Sequence, residues 1–199
     1  DAYLKGGASA VQNLIDGLGA GSTYALMAVG VSLLFGVMHL VNFAHGEMLT
    51  VSAYATYYLS TKGIGWWVAV PTALIVSMAV SVLIELLAFR RVRGASAFTL
   101  LLTSFGVEIL SHAIWRIGVS SNPKPSPAPG WTYKAFDLGP LRVEYWDTIS
   151  IITAVVTFAG TALILKRTMF GVAMRAAAED FDAARLMGVK ANRVISGAF

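Results

Sequence analysis

Cysteine is absent from the chain, which excludes a disulfide framework and any thiolate metal site. Charge is scarce: Asp, Glu, Lys and Arg make up 13% of residues, against about 25% in a typical soluble domain. From Gly17 to Gly46 there is none at all. The dipeptide Gly-Lys never occurs, so no G-x-x-x-x-G-K-[ST] loop is available to cradle nucleotide phosphates. The G-x-S-x-G elbow of hydrolases is missing too, and nothing in the sequence places a nucleophile beside a base, so the chain is read as a non-enzyme. The first residues, Asp1 to Gly7, lack the basic start and short apolar core of a signal peptide.

What remains is apolar, at 56% of residues. A run as long as Gly17–Gly46 exceeds the roughly 20 residues needed to cross a bilayer. It leads into a polar knot, Asn42-Phe43-Ala44-His45-Gly46-Glu47, and ionisable groups inside a spanning region are too costly in lipid to be filler. The formal net charge of +4 does not point to nucleic acid. The basic residues sit in two blocks beside apolar spans, Arg90 to Arg93 and Lys166 to Arg193, as cytoplasmic loops do.

The expected fold is all-α, a polytopic transmembrane helix bundle. It has a broken helix near Asn42–Glu47 and a short cytoplasmic helix. Five spans are expected: about Ala8 to His39, Ala44 to Leu59, Trp67 to Phe89, Ala97 to Gly118 and Trp146 to Leu165. The first is longer than one crossing needs, and Gly30 and Gly36 mark places where it can bend. Gly17 and Gly21 form a GxxxG, either a close-approach surface or the ordinary glycine enrichment of membrane helices. Trp66-Trp67 marks an interface.

Residues 1–199 read as a single transmembrane domain. Within it, residues 119–145 form an external proline-rich loop, because Pro123, Pro125, Pro127, Pro129 and Pro140 cannot sit inside a helix. The charge pattern places the N-terminus and Lys62–Gly65 outside and the Asn42–Glu47 knot toward the inside. Arg193 to Phe199 reads as the opening turns of a further span, so the chain is expected to be a piece of a longer protein.

The stretch 170–189 has a different character. Met174, Ala178, Phe181, Ala184 and Met187 recur at helical spacing, while Arg175, Glu179, Asp182 and Arg185 face elsewhere. Asp180 can cap a helix start and Gly188 can close its end. A helix of this kind lies on lipid or docks into a soluble partner; its mixed charges favour the partner.

These segments together resemble the branched-chain amino-acid permeases of ATP-binding-cassette importers. The resemblance rests on Asn42-Phe-Ala-His-Gly-Glu47, preceded by Gly21-Ser-Thr-Tyr-Ala-Leu and Leu33-Leu-Phe-Gly. It also rests on Gly171-Val-Ala-Met-Arg-Ala-Ala-Ala-Glu-Asp180 and Ala183-Ala-Arg-Leu-Met-Gly-Val189, similar to that family's coupling-helix region. Phe181 stands where many members carry Pro.

The resemblance implies a multi-pass subunit of the bacterial inner membrane that carries branched-chain amino acids and needs no cofactor. Its implied partners are two cytoplasmic ATPase subunits, a similar second permease and an external solute-binding protein, besides membrane lipid. Asn42, His45, Gly46 and Glu47 are candidates for the substrate pathway, with helix capping as the alternative role. Arg175, Glu179, Asp180, Ala184, Arg185 and Gly188 are candidates for coupling to the ATPases. Related permeases carrying urea or short amides share the Ala-His-Gly-Glu element, and a secondary transporter or channel is the reading from another class.

Two further groups invite attention. His39, His45 and Glu47 lack the i, i+4 spacing of a helical metal site, so no metal is expected. Glu108, His112 and Arg116 stack on one helix face and are expected to pair with one another or form a relay. Glu85 is expected to pair with the Arg90 cluster.

Overall fold

The computed structural model describes residues 2–38, 42–92, 95–120, 122, 124–125, 128–138 and 141–198. Contacts divide the chain into two compact units, residues 1–30 with 128–168 and residues 31–127 with 169–199. His39 and Arg93 lie outside the described residues, as do three of the loop prolines, Pro123, Pro127 and Pro140.

The first unit takes helix α1 (Ala2–Met38) as far as Gly30, a 3-10 turn at Gly130–Tyr133, strands β1 (Ala135–Leu138) and β2 (Leu141–Glu144), and helix α5 (Tyr145–Arg167). The proline-rich segment is therefore not wholly an extended loop. Its second half is an antiparallel hairpin with Phe136 opposite Val143 and Asp137 opposite Arg142. Alternating apolar and polar residues over Leu141-Arg-Val-Glu144 give one half-buried face, as the pleat requires.

The hairpin is fastened to α1 by one side chain. The Gln12 amide accepts from the Arg142 backbone N–H (2.9 Å) and donates to the Arg142 carbonyl (2.7 Å), so it pairs with the strand as a peptide group would. Gln12 also donates to Asp16 Oδ1 one turn along α1 (2.8 Å).

Close approach in this unit occurs at Gly19, and of the two readings of the GxxxG pair the ordinary glycine enrichment fits these contacts. A Cβ on Gly19 would fall on the Asp147 carboxyl group of α5, whereas Cβ atoms at Gly17 and Gly21 would meet nothing within 4 Å. Helix α1 also continues through Gly30 and Gly36 to Met38.

In the second unit, helix α2 (His45–Thr61) and helix α3 (Trp66–Ile84) form an antiparallel pair. The turn between them depends on Gly63, at φ +78°. Gly63 N–H donates to Ser60 O and Ile64 N–H to Leu59 O, the double bond of a Schellman cap. The pair is tied where Ser77 Oγ donates to Met48 O (2.9 Å). Ala69 and Ala73, one turn apart on α3, are fully buried.

Helix α3 widens at its end into a π turn, Glu85–Phe89, then a 3-10 turn, Arg90–Val92. Phe89 packs with Leu100 of helix α4 (Ala97–Gly118), among Ile84, Ala88, Val92 and Val107. Ser96 caps α4, accepting from Thr99 N–H (3.3 Å). The chain then closes on helices α6 (Met169–Glu179), α7 (Phe181–Leu186) and α8 (Ala191–Ala198).

Among the described residues, four helical stretches are long and apolar enough to cross a membrane: Ser9–Gly36, Trp66–Val92, Phe98–Gly118 and Tyr145–Arg167. Helix α2 lies where the second span was expected, Ala44 to Leu59, but at 17 residues it is both shorter and less apolar than these four. The fold is an all-α helix bundle of the polytopic membrane class.

Candidate functional site

The polar knot forms a tight turn and the start of α2. Asn42 Oδ1 accepts from Ala44 N–H (3.1 Å), while Asn42 O accepts from His45 N–H (3.2 Å). The short side chain of asparagine allows this local turn. Asn42 and Ala44 are buried and His45 is partly buried. Gly46 is exposed, and a Cβ there would meet nothing within 4 Å.

Glu47 points inward at 4% exposure and finds both its partners on α4. Trp115 Nε1–H donates to Oε2 (3.0 Å), and His112 Nε2 lies 3.3 Å from Oε1. His112 and Trp115 are three residues apart, hence on one helix face. The same face carries Phe105, whose ring stacks on Phe43 at 4.2 Å, and Trp115 stacks on Tyr54 at 5.2 Å. A buried carboxylate is tolerable only when its oxygens are satisfied, and here each has a donor.

These contacts correct one expectation. His112 was expected to pair along its own helix with Glu108 or Arg116; among the described residues its ion-pair partner is Glu47. The turn, expected as a break within the spanning region and toward its inner side, lies beside the interior of two long helices, with Phe43 against Phe105 of α4 and Met48 against Ser77 of α3. Ser77 precedes Arg90 by 13 residues, roughly 20 Å at 1.5 Å per residue. The step from α1 to α2 thus falls at depth along the spans, though residues 39–41 within it are outside those described.

The region 170–189 is built from two helices meeting at Asp180. Asp180 N–H still belongs to α6, donating to Ala176 O (3.1 Å), while Asp180 Oδ1 accepts from Ala183 N–H (2.9 Å) and so caps α7. Gly188, at φ +88°, ends that helix. Its N–H donates to Arg185 O and Val189 N–H to Ala184 O, again a Schellman pair. Both caps read from the sequence are present. The single apolar stripe is not: Met174, Ala177 and Ala184 are buried, but Met187 is 85% exposed beside exposed Leu186. The break at Asp180 changes the helical phase, so residues after it no longer continue the α6 face. Arg175, Glu179 and Arg185 are exposed.

Helix α8 returns against α6, burying Val194 and Ile195. A Cβ on Gly197 would lie 2.9 Å from the Phe170 ring. Ser196 Oγ donates to Glu85 Oε2 (2.9 Å). Glu85, expected to pair with the Arg90 cluster, is fully buried on the π turn and is bonded to α8 through Ser196; Arg93 of that cluster lies outside the described residues. An open groove of about 420 Å³ lies along Phe170, Ala173, Val189 and Val194, with Lys190 and Arg193 at its edge.

His112 and Trp115 are the residues the sequence reading did not connect with the knot. A Trp N–H within an apolar span needs an acceptor, and Glu47 is one of the few carboxylates among the apolar spans that could supply it. That signal was available, but it gave no position.

Comparison with known proteins supplies the family. A family model described as the permease component of the branched-chain amino acid transport system matches residues 13–199. The high-affinity branched-chain amino acid transport system permease protein BraD of Pseudomonas aeruginosa is 28% identical over 95% of this chain. The corresponding LivH protein of Escherichia coli K12 is 27% identical over 95% of the chain. A probable LivH of the archaeon Methanocaldococcus jannaschii is 27% identical over 87%. The chain spans 66%, 65% and 58% of the length of these three relatives. No solved structure matches it significantly. With a match covering all but its first twelve residues and apolar helices of spanning length, the chain is a multi-pass membrane protein and belongs to the branched-chain amino acid permease family.

Proposed function

We propose that this chain forms the translocation path for branched-chain amino acids, as a permease subunit of an ATP-driven importer. One observation carries the reading. A buried carboxylate, Glu47, sits at a polar turn well along the spanning helices and is held by two donors from α4. Irregular backbone at membrane depth persists only where it is buried in protein or lines a cavity. Transport sites are commonly built where a helix is interrupted near the midplane, because freed backbone groups can meet a zwitterion. Asn42, His45, Gly46 and Glu47 are assigned to that path.

On this reading the chain hydrolyses nothing itself. Two ATPase subunits would dock against the cytoplasmic region 170–189, using Arg175, Glu179, Asp180, Arg185 and the turn at Gly188. Ala184, buried beneath, would anchor α7 to its neighbours. A second permease would complete the path, and an external solute-binding protein would deliver the cargo on the side of residues 119–145. The assembly is assigned to the bacterial inner membrane, with residues 1–199 as one permease domain.

Co-purification of the full-length parent from its native membrane tests the assignment. Recovery of an ATPase and a second permease, with ATP-dependent leucine uptake in proteoliposomes, is the expected result. Uptake of urea or short amides in place of leucine would move the cargo and keep the architecture. Transport by this chain alone without ATP would reject the reading.

A further inference from the structure

We propose that His112 contacts the cargo directly, presenting a hydrogen-bond acceptor to its ammonium group, with Glu47 as the residue that orients the ring. This rests on the permease reading above and names a residue that reading does not include.

The side chain of His112 is 66% exposed while that of its partner Glu47 is 5% exposed. It lies six residues before the end of α4, inside the apolar stretch Phe98–Gly118. That depth is about 9 Å from the helix end, too far for a short imidazole to reach the interface. A polar side chain there must turn toward a protein partner or a water-filled cavity rather than lipid. Glu47 takes up one edge of the ring, with Nε2 committed to Oε1 at 3.3 Å, and leaves the rest of the side chain exposed beside exposed Gly46 on the same turn. A neutral imidazole so held donates from Nε2 and offers Nδ1 as an acceptor.

The charges agree in sign. On the facing elements the ionisable groups are Glu47, Glu108, His112, Arg116 and His45. Apart from the imidazoles, the two carboxylates Glu47 and Glu108 outnumber the single guanidinium of Arg116, which favours the cationic end of a zwitterion in a region of low dielectric.

The absence of cysteine from this chain makes the test direct. His112→Cys and, on the opposite face of α4, Ile114→Cys are placed in the assembled importer, with other reactive thiols removed. Each is treated with a charged, water-soluble methanethiosulfonate. Expected is reaction at position 112 but not at 114, slowed by leucine and little affected by 4-methylpentanoate, which lacks the ammonium group. In transport assays His112→Leu is expected to raise KM about tenfold or more, the loss of one charge-assisted hydrogen bond. His112→Gln, which keeps an acceptor and a donor for Glu47, is expected to restore much of it, with transport normalised to the amount of assembled complex in both.

Three results overturn the proposal: no reaction at 112, cross-linking of 112 to a second permease, or reaction that leucine does not slow. If the wild-type complex carries no branched-chain amino acid, the cargo assignment has failed instead. Labelling at 112 would then be screened against that complex's own substrate, and protection requiring an ammonium group would still be the deciding result.

Discussion

The capped helix α7 makes a prediction whose size can be worked out. With six residues it is too short to persist on propensity, since isolated helices need about 12–15 residues even to be marginal. What holds it is the Asp180 cap at one end, the Gly188 turn at the other, and burial of Ala184 between them.

Asp180→Ala removes the acceptor for Ala183 N–H, at a cost of about 1 kcal/mol, or roughly fivefold in the ordered population. Gly188→Ala places a Cβ in the left-handed region, at a cost of roughly 1–2 kcal/mol. The double variant should lose roughly 2–3 kcal/mol, so the ordered fraction falls about 30-fold or more. Hydrogen exchange in the assembled importer reads this directly at the N–H groups of Ala183, Ala184, Gly188 and Val189. Amino acid carried per ATP hydrolysed reads its consequence. Asp180→Asn is the control, because asparagine caps as well as aspartate. The cap explanation predicts that Asn behaves as wild type in both assays. Equal damage from Asn and Ala would refute it and transfer the role to the charge of Asp180; unchanged exchange in the Ala variant would refute it outright.

Four further outcomes are expected. Trp115→Phe keeps the stacking on Tyr54 but removes the donor to Glu47, so thermal stability in detergent should fall by about 1.5–3 kcal/mol, the range for a hydrogen bond to a charged group; Glu47→Gln should assemble normally and transport poorly, and failure to assemble would make Glu47 structural. Gly19→Ala drives a methyl group into the Asp147 carboxyl group and should destabilise the first unit by about 1–3 kcal/mol, with recovery in Gly19→Ala/Asp147→Gly; an unaffected single variant would contradict the packing. Gln12→Ala frees both backbone groups of Arg142 and should speed limited proteolysis within residues 134–145, whereas Gln12→Asn, one methylene short of the strand, should not rescue it.

Much of the bundle was legible because the bilayer imposes length and composition. Helix α4 begins and ends where the apolar run Ala97–Gly118 does, and α5 extends the expected span by only a residue or two at each end. The caps were legible for a local reason: Asp180 and Gly188 act on backbone groups within three to four residues. The hairpin at β1 and β2 was obscured by its prolines, which lie before the 3-10 turn or between the strands and break no ladder. The π turn at Glu85–Phe89 carries no sequence mark, since an extra residue in a helix turn is fixed by what packs against it.

The sequence alone determined that this chain spans a membrane, that it carries ionisable groups within that region, and where the short helix α7 starts and stops. Each of these depends on composition or on hydrogen bonds between near neighbours along the chain. Tertiary structure decided which polar groups meet. Glu47 could have met His39, His45 or an arginine; packing of α2 beside α4 gave it His112 and Trp115, 65 and 68 residues away. It also decided that the polar turn packs against Phe105 of α4 and Ser77 of α3, and that Glu85 meets Ser196 of α8. Helix periodicity fixes which residues share a face, but the vertical offset between two helices is set only by how their side chains interlock.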